Sequence, residues 1–177
     1  MPRLKHCTRC RLHETRNKIV WGAGDIDSTC KFCGEGPGFN EDKTGTPFCG
    51  ESGKLLRSFM LDLAGPTIFK EVFITNLVLC RPPNNRDPYD DEIEACDRWL
   101  RYQLFRMKPK AIGCIGRIAA GNLIKGMWEW GVPVKKRGTV YIPIYHPAYV
   151  SRNRNNEDLM AKFKDSIKLT LELGGIL

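Results

Sequence analysis

Apolar positions follow two rhythms along this chain. Short runs rich in β-branched and aromatic residues at 29–33, 72–79, 111–115 and 139–145 predict four strands. Apolar residues spaced three and four apart predict helices near 52–64, 89–107, 117–127 and 157–173. Strands that alternate with helices imply a mainly parallel sheet covered on both faces, a three-layer α/β/α sandwich. Pro82-Pro83-Asn84-Asn85-Arg86 reads as a long rigid loop, and Asp87-Pro88 as the cap and first position of the next helix. No repeat, low-complexity tract or linker interrupts the pattern, so the 177 residues are read as one domain, 1–177.

In an open α/β sheet, ligands bind beyond the carboxyl ends of the strands. The first predicted strand runs into Gly34-Glu35-Gly36-Pro37-Gly38, with Glu41-Asp42 and Gly45-Thr46-Pro47-Phe48-Cys49-Gly50 shortly after. Its glycines and Pro37 mark a turn-forming loop able to hold Glu35 and Phe48 against a ligand. The second strand carries Thr75-Asn76, the third ends at Gly116, and the fourth ends in Tyr145-His146-Pro147. A carboxylate, an amide and an imidazole therefore have a route to one pocket. Two phosphate motifs fail: the glycine loop lacks the third glycine of a dinucleotide fingerprint, and Gly50-Glu51-Ser52-Gly53-Lys54 lacks Walker spacing.

Charge adds a partner class. The net charge is +8, concentrated in Arg3, Lys5, Arg9, Arg11, Arg16 and Lys18 and in a second block from Arg98 to Arg137, which points to a polyanion. Between them, Asp87, Asp90, Asp91, Glu92, Glu94 and Asp97 read as a solvated acidic first turn of a helix. No apolar run reaches membrane-spanning length and the first residues lack a signal-peptide core, so a cytoplasmic protein without membrane contact is expected. There the eight cysteines are read as metal, cluster, redox or core residues. Cys7-x-x-Cys10 with Cys30-x-x-Cys33 has nearly zinc-ribbon spacing. Cys7, Cys10, Cys80 and Cys96 form a competing set, with Cys96 on a helical stripe with Ile93, Leu100 and Leu104.

The chain resembles the iron–sulfur-containing family four uracil-DNA glycosylases. The likeness runs from Cys7 to Arg152, through Cys7-x-x-Cys10, Gly34-Glu35-Gly36-Pro37-Gly38, Glu41-Asp42, Gly45-x-Pro47-Phe48-x-Gly50, Thr75-Asn76, Cys80-Arg81-Pro82-Pro83-x-Asn85-Arg86, Cys96 and His146-Pro147-Ala148-Tyr149. It implies a central four-stranded sheet and a structural [4Fe–4S] cluster on Cys7, Cys10, Cys80 and Cys96 that ties segment 1–20 to the body. Aliphatic residues are commoner where Cys30, Cys33 and Cys49 stand, and a lysine where Leu79 stands. The basic, histidine-containing insertion of covalent-trapping relatives is missing between Asn76 and Asp97, which implies turnover.

The resemblance further implies a monomeric enzyme that flips uracil out of DNA and hydrolyses its N-glycosidic bond. It puts Phe48 under the uracil ring, with Gly36 and Asn76 in the same pocket; an amide can donate to O4 and accept from N3–H. His146 suits a donor to O2, and Glu35 suits orienting or deprotonating the water beside an oxocarbenium-like sugar. Glu41 is assigned to the C5 edge, where it would block a thymine methyl. Pro147, Tyr149 and Arg152 are assigned to DNA contact, with Tyr149 or Val150 as the wedge that fills the vacated stack. A sliding-clamp contact is left open. Two alternatives compete: a metal-stabilised DNA-binding or replication-accessory module, and a glycosylase for another deaminated base such as hypoxanthine.

Overall fold

A computed structural model describes Leu4 and residues 6–177; Arg3 and Lys5 of the basic amino-terminal run lie outside the described residues. The strands are β1 (Ala23–Gly24), β2 (Cys30–Gly34), β3 (Phe73–Asn76), β4 (Ala111–Ile115), β5 (Val134–Lys136) and β6 (Thr139–Ile144). The helices are α1 (Phe39–Thr44), α2 (Glu51–Ala64), α3 (Ile68–Glu71), α4 (Asp90–Met107), α5 (Arg117–Ile124), α6 (Pro147–Arg152) and α7 (Glu157–Gly174). The sheet order is β1-β3-β2-β4-β6-β5. The four expected strands form its parallel centre, β3-β2-β4-β6. Short antiparallel strands β1 and β5 extend it at the edges to six. Both are too short to leave a periodic signal.

Alternation along the strands divides the core. Cys30 and Phe32 of β2 point into a cluster with Leu56, Met60, Phe163 and Ile167 from α2 and α7. Cys33 points the other way, into a cluster with Leu100, Ile112, Ala120 and Ile124 beneath α4 and α5. This is the α/β/α sandwich the pattern predicts. Lys31 shares the second face and is fully buried, its Nζ donating to Gln103 Oε1 at 3.0 Å. Desolvation lowers its pKa to about 8.

Several boundaries move for local reasons. α4 begins at Asp90 with Tyr89 as cap, not at Asp87-Pro88, because Glu92 reaches back to accept the Tyr89 N–H at 2.9 Å. α5 stops at Ile124, where Lys125 (φ 52°) and Gly126 (φ 130°) leave helical space. The acid-bearing stretch read as loop is a helix, α1, closed by Gly45 in the left-handed conformation. Residues 147–152, where the pattern predicts no helix, form α6 with Pro147 at its first position.

Candidate functional site

The carboxyl ends of β2, β3 and β6 open into a pocket of about 480 Å³ whose lining includes Glu35, Gly36, Glu41, Phe48, Asn76 and His146. Of the residues assigned to DNA contact, Arg152 lines the same pocket, Tyr149 is exposed nearby, and Pro147 is buried. Val150 is fully buried and so cannot be a wedge. Pro147 instead starts α6 and fixes the chain direction after His146.

Glycine lets the pocket wall close. Phe48 is held at φ 52° and is 9% exposed. A Cβ on Gly34 would lie 2.6 Å from both Phe48 Cζ and Asn76 Oδ1, and one on Gly53 would lie 2.3 Å from the Phe48 carbonyl oxygen. The ring therefore rests directly on the backbone at the end of β2, beside the Asn76 amide, which is 2% exposed. Glu41 Oε1 accepts the Gly50 N–H at 2.7 Å, tying α1 to the start of α2.

The titrating groups are set by burial. Burial raises the Glu35 pKa above its ordinary value, with Asp87 adding to the rise and Arg117 opposing it. Burial lowers the His146 pKa, with Arg152 reinforcing the drop and Asp87 opposing it. His146 Nδ1 accepts the Ala148 N–H at 3.2 Å, which leaves the proton of the neutral ring on Nε2. His146 is thus a neutral donor.

Glu92, expected in a solvated acidic turn, is fully buried instead, and its carboxylate accepts from Arg86 Nη2 at 2.6 Å and Nη1 at 2.8 Å. Arg86 in turn lines the pocket and lies 3.7 Å over the Tyr89 ring. Local pattern alone assigns Arg86 no role. A basic residue closing a rigid proline loop six positions before a glutamate was the available signal.

A second, apolar pocket lies between the amino-terminal segment and α4. Cys7, Cys10, Cys80 and Cys96 line it together with Arg16 and Trp99. Arg16 Nη1 donates to Cys80 Sγ at 3.4 Å. Among the described residues, no three metal-ligating side chains converge as a site for a single metal ion. The zinc-ribbon reading fails on placement. Cys30 packs against Gly174 under α7, while Cys33 lies on the opposite face of the sheet. Burial pushes their thiols up to about 12 and about 11, as expected of inert core cysteines.

Two buried side-chain polar atoms among the described residues have no hydrogen-bond partner: Asn76 Oδ1 and Trp99 Nε1. An unpaired buried polar group costs about 1–3 kcal/mol. One belongs to the sheet-end pocket and the other to the cysteine pocket.

The family model described as the uracil DNA glycosylase superfamily matches residues 21–168. The chain belongs to that superfamily. Its relatives within the superfamily include the Type-4 uracil-DNA glycosylase of Thermotoga maritima, 39% identical over 161 residues covering 88% of this chain and 83% of the relative. The Type-4 uracil-DNA glycosylase of Archaeoglobus fulgidus is 39% identical over 176 residues, 89% and 85% of the two chains. A Type-5 uracil-DNA glycosylase of Pyrobaculum aerophilum is more distant, 27% identical over 186 residues, 85% and 82% of the two chains.

Proposed function

We propose that this protein is a uracil-DNA glycosylase, a DNA-repair hydrolase that removes uracil from DNA by cleaving its N-glycosidic bond. The observation that carries the reading is the buried, unpartnered Asn76 Oδ1 beside the Phe48 ring in the sheet-end pocket. Uracil offers N3–H to that oxygen and O4 to the amide N–H; cytosine offers the opposite pattern. Phe48 stacks on the base, and Glu41 closes the C5 side against a methyl group. The flipped nucleotide leaves a gap in the duplex that Tyr149 fills, while Arg152 faces the phosphates.

The chemistry follows from charge. As the bond breaks, negative charge grows on uracil O2 and positive charge on the sugar. The His146 Nε2–H donates to O2 without needing protonation, because burial keeps the ring neutral. Ionised Glu35 offsets the sugar charge and takes a proton from the attacking water.

A [4Fe–4S] cluster on Cys7, Cys10, Cys80 and Cys96 fits the second pocket. A single ion needs all its ligands within about 2.3 Å of one point, whereas a cluster spreads four thiolates over its corners. The shared apolar lining, the Arg16 donor and the unpaired Trp99 N–H suit a sulfur-rich group. When bound, it would tie the amino-terminal segment to α4 and to the segment that follows β3.

The test is release of free base from matched oligonucleotides carrying uracil, thymine or hypoxanthine. Release of uracil alone is expected, and Phe48→Ala should erode the preference for uracil over thymine. Equal binding of all three without cleavage would overturn the assignment.

A further inference from the structure

Arg9 and Arg16 both reach the cysteine pocket, but their hydrogen bonds differ. Arg9 Nε is taken by the Ala95 carbonyl at 3.3 Å, a contact that pins the amino-terminal segment to α4. Arg16 Nη1 instead reaches a sulfur, Cys80 Sγ. Trp99 stands three residues after Cys96 and so on the same side of α4. Its ring is fixed edge-on to Trp21, with centroids 6.4 Å apart, and the Arg98 guanidinium lies 5.0 Å over it. The indole is thus held in place while its Nε1–H is buried and unpaired among the described residues. The cysteine side chains supply sulfur acceptors in the same apolar pocket.

We propose that Trp99 Nε1–H and the Arg16 guanidinium are hydrogen-bond donors to the sulfur shell of the [4Fe–4S] cluster held by Cys7, Cys10, Cys80 and Cys96, and that together they raise its reduction potential. The inference rests on the cluster reading given under the proposed function. Reduction adds negative charge that spreads onto the sulfurs, so each donor aimed at them stabilises the reduced form more than the oxidised form. Arg16 adds a full positive charge to the same effect. Apolar walls keep water from supplying competing donors, so removal of either side chain leaves a sulfur without a replacement. Both groups act on the cluster alone, so they are positioning and tuning residues.

Iron content and visible absorbance of the anaerobically purified protein come first. A colourless, iron-free protein would remove the cluster and this inference with it, whereas a loaded protein isolates the question of the donors. Redox titration of loaded wild type, Trp99→Phe and Arg16→Gln should then give a more negative potential for each variant at equal iron content. Unchanged potentials in both would overturn the proposal. Should a variant fail to load, resonance Raman spectra of the wild type in H₂O and D₂O decide. Exchangeable donors to sulfur shift the iron–sulfur stretching bands on deuteration, and bands that do not move would refute the proposal.

Discussion

Gly34 sets how closely the base-stacking ring and the base-reading amide can approach, so Gly34→Ala perturbs both at once. The added methyl would lie 2.6 Å from Phe48 Cζ and from Asn76 Oδ1, against about 3.4 Å for the shortest ordinary contact, a shortfall of about 0.8 Å on each side. Neither neighbour has room to yield: Phe48 is backed by Gly53, where its carbonyl is already in close contact, and Asn76 is 2% exposed at the end of a parallel strand. Overpacking of this kind costs about 1–3 kcal/mol. At roughly 2–4 °C per kcal/mol for a chain of this size, melting should fall by about 2–12 °C. Displacement of recognition groups by nearly 1 Å costs on the order of 10²-fold in rate. The assay pairs thermal melting with single-turnover release of uracil. Gly121→Ala serves as the control, because a Cβ there meets nothing within 4 Å inside α5. It should raise stability by about 0.5–1 kcal/mol with activity intact. A Gly34→Ala enzyme with wild-type uracil release, whatever its melting temperature, would refute the close-approach account of the pocket.

Glu35→Gln should abolish cleavage while raising stability at neutral pH. Burial raises the folded-state pKa above the unfolded value, so the stability contributed by the protonated acid is full below about 4.5 and is lost as pH rises through the folded value. Activity should run the opposite way, with an acid limb above the ordinary carboxyl range that is read from the wild-type pH–rate profile. His146→Ala should slow single-turnover cleavage by about 10²–10³, and a wild-type rate would remove the oxygen-donor role. Cys80→Ala and Cys96→Ala should lose iron, whereas Cys30→Ala and Cys33→Ala should retain it; iron analysis of purified protein distinguishes the two sets.

Much of this protein is written in local pattern. The four central strands and the four long helices are legible because each is long enough for its apolar positions to declare a period and for alternate faces to bury against different helices. The sheet-end pocket is legible because a parallel sheet delivers the residues just beyond β2, β3 and β6 to one edge. Four other elements were not: β1 and β5 hold two and three residues, too few to alternate, and α1 and α6 hold six each, under two helical turns, so their form is set by pairing, by Gly45 and by the Pro147 start.

Tertiary structure decided what residue spacing left open: which charges share an environment, and which of two competing thiol sets meets. Glu92 looks like its acidic neighbours until Arg86 closes over it and brings an arginine into the pocket, while the same carboxylate accepts the Tyr89 N–H and so sets the start of α4. Cys30 and Cys33 have the spacing of ligands, yet strand alternation sends them toward opposite faces, while the Cys7–Cys10 pair, Cys80 and Cys96 meet from separate places in the chain. Spacing fixes only which residues can meet within one element. Burial, and the desolvation that comes with it, depends on what arrives from elsewhere. The neutral His146, the raised Glu35 and the unpaired atoms of Asn76 and Trp99 are products of the assembled fold.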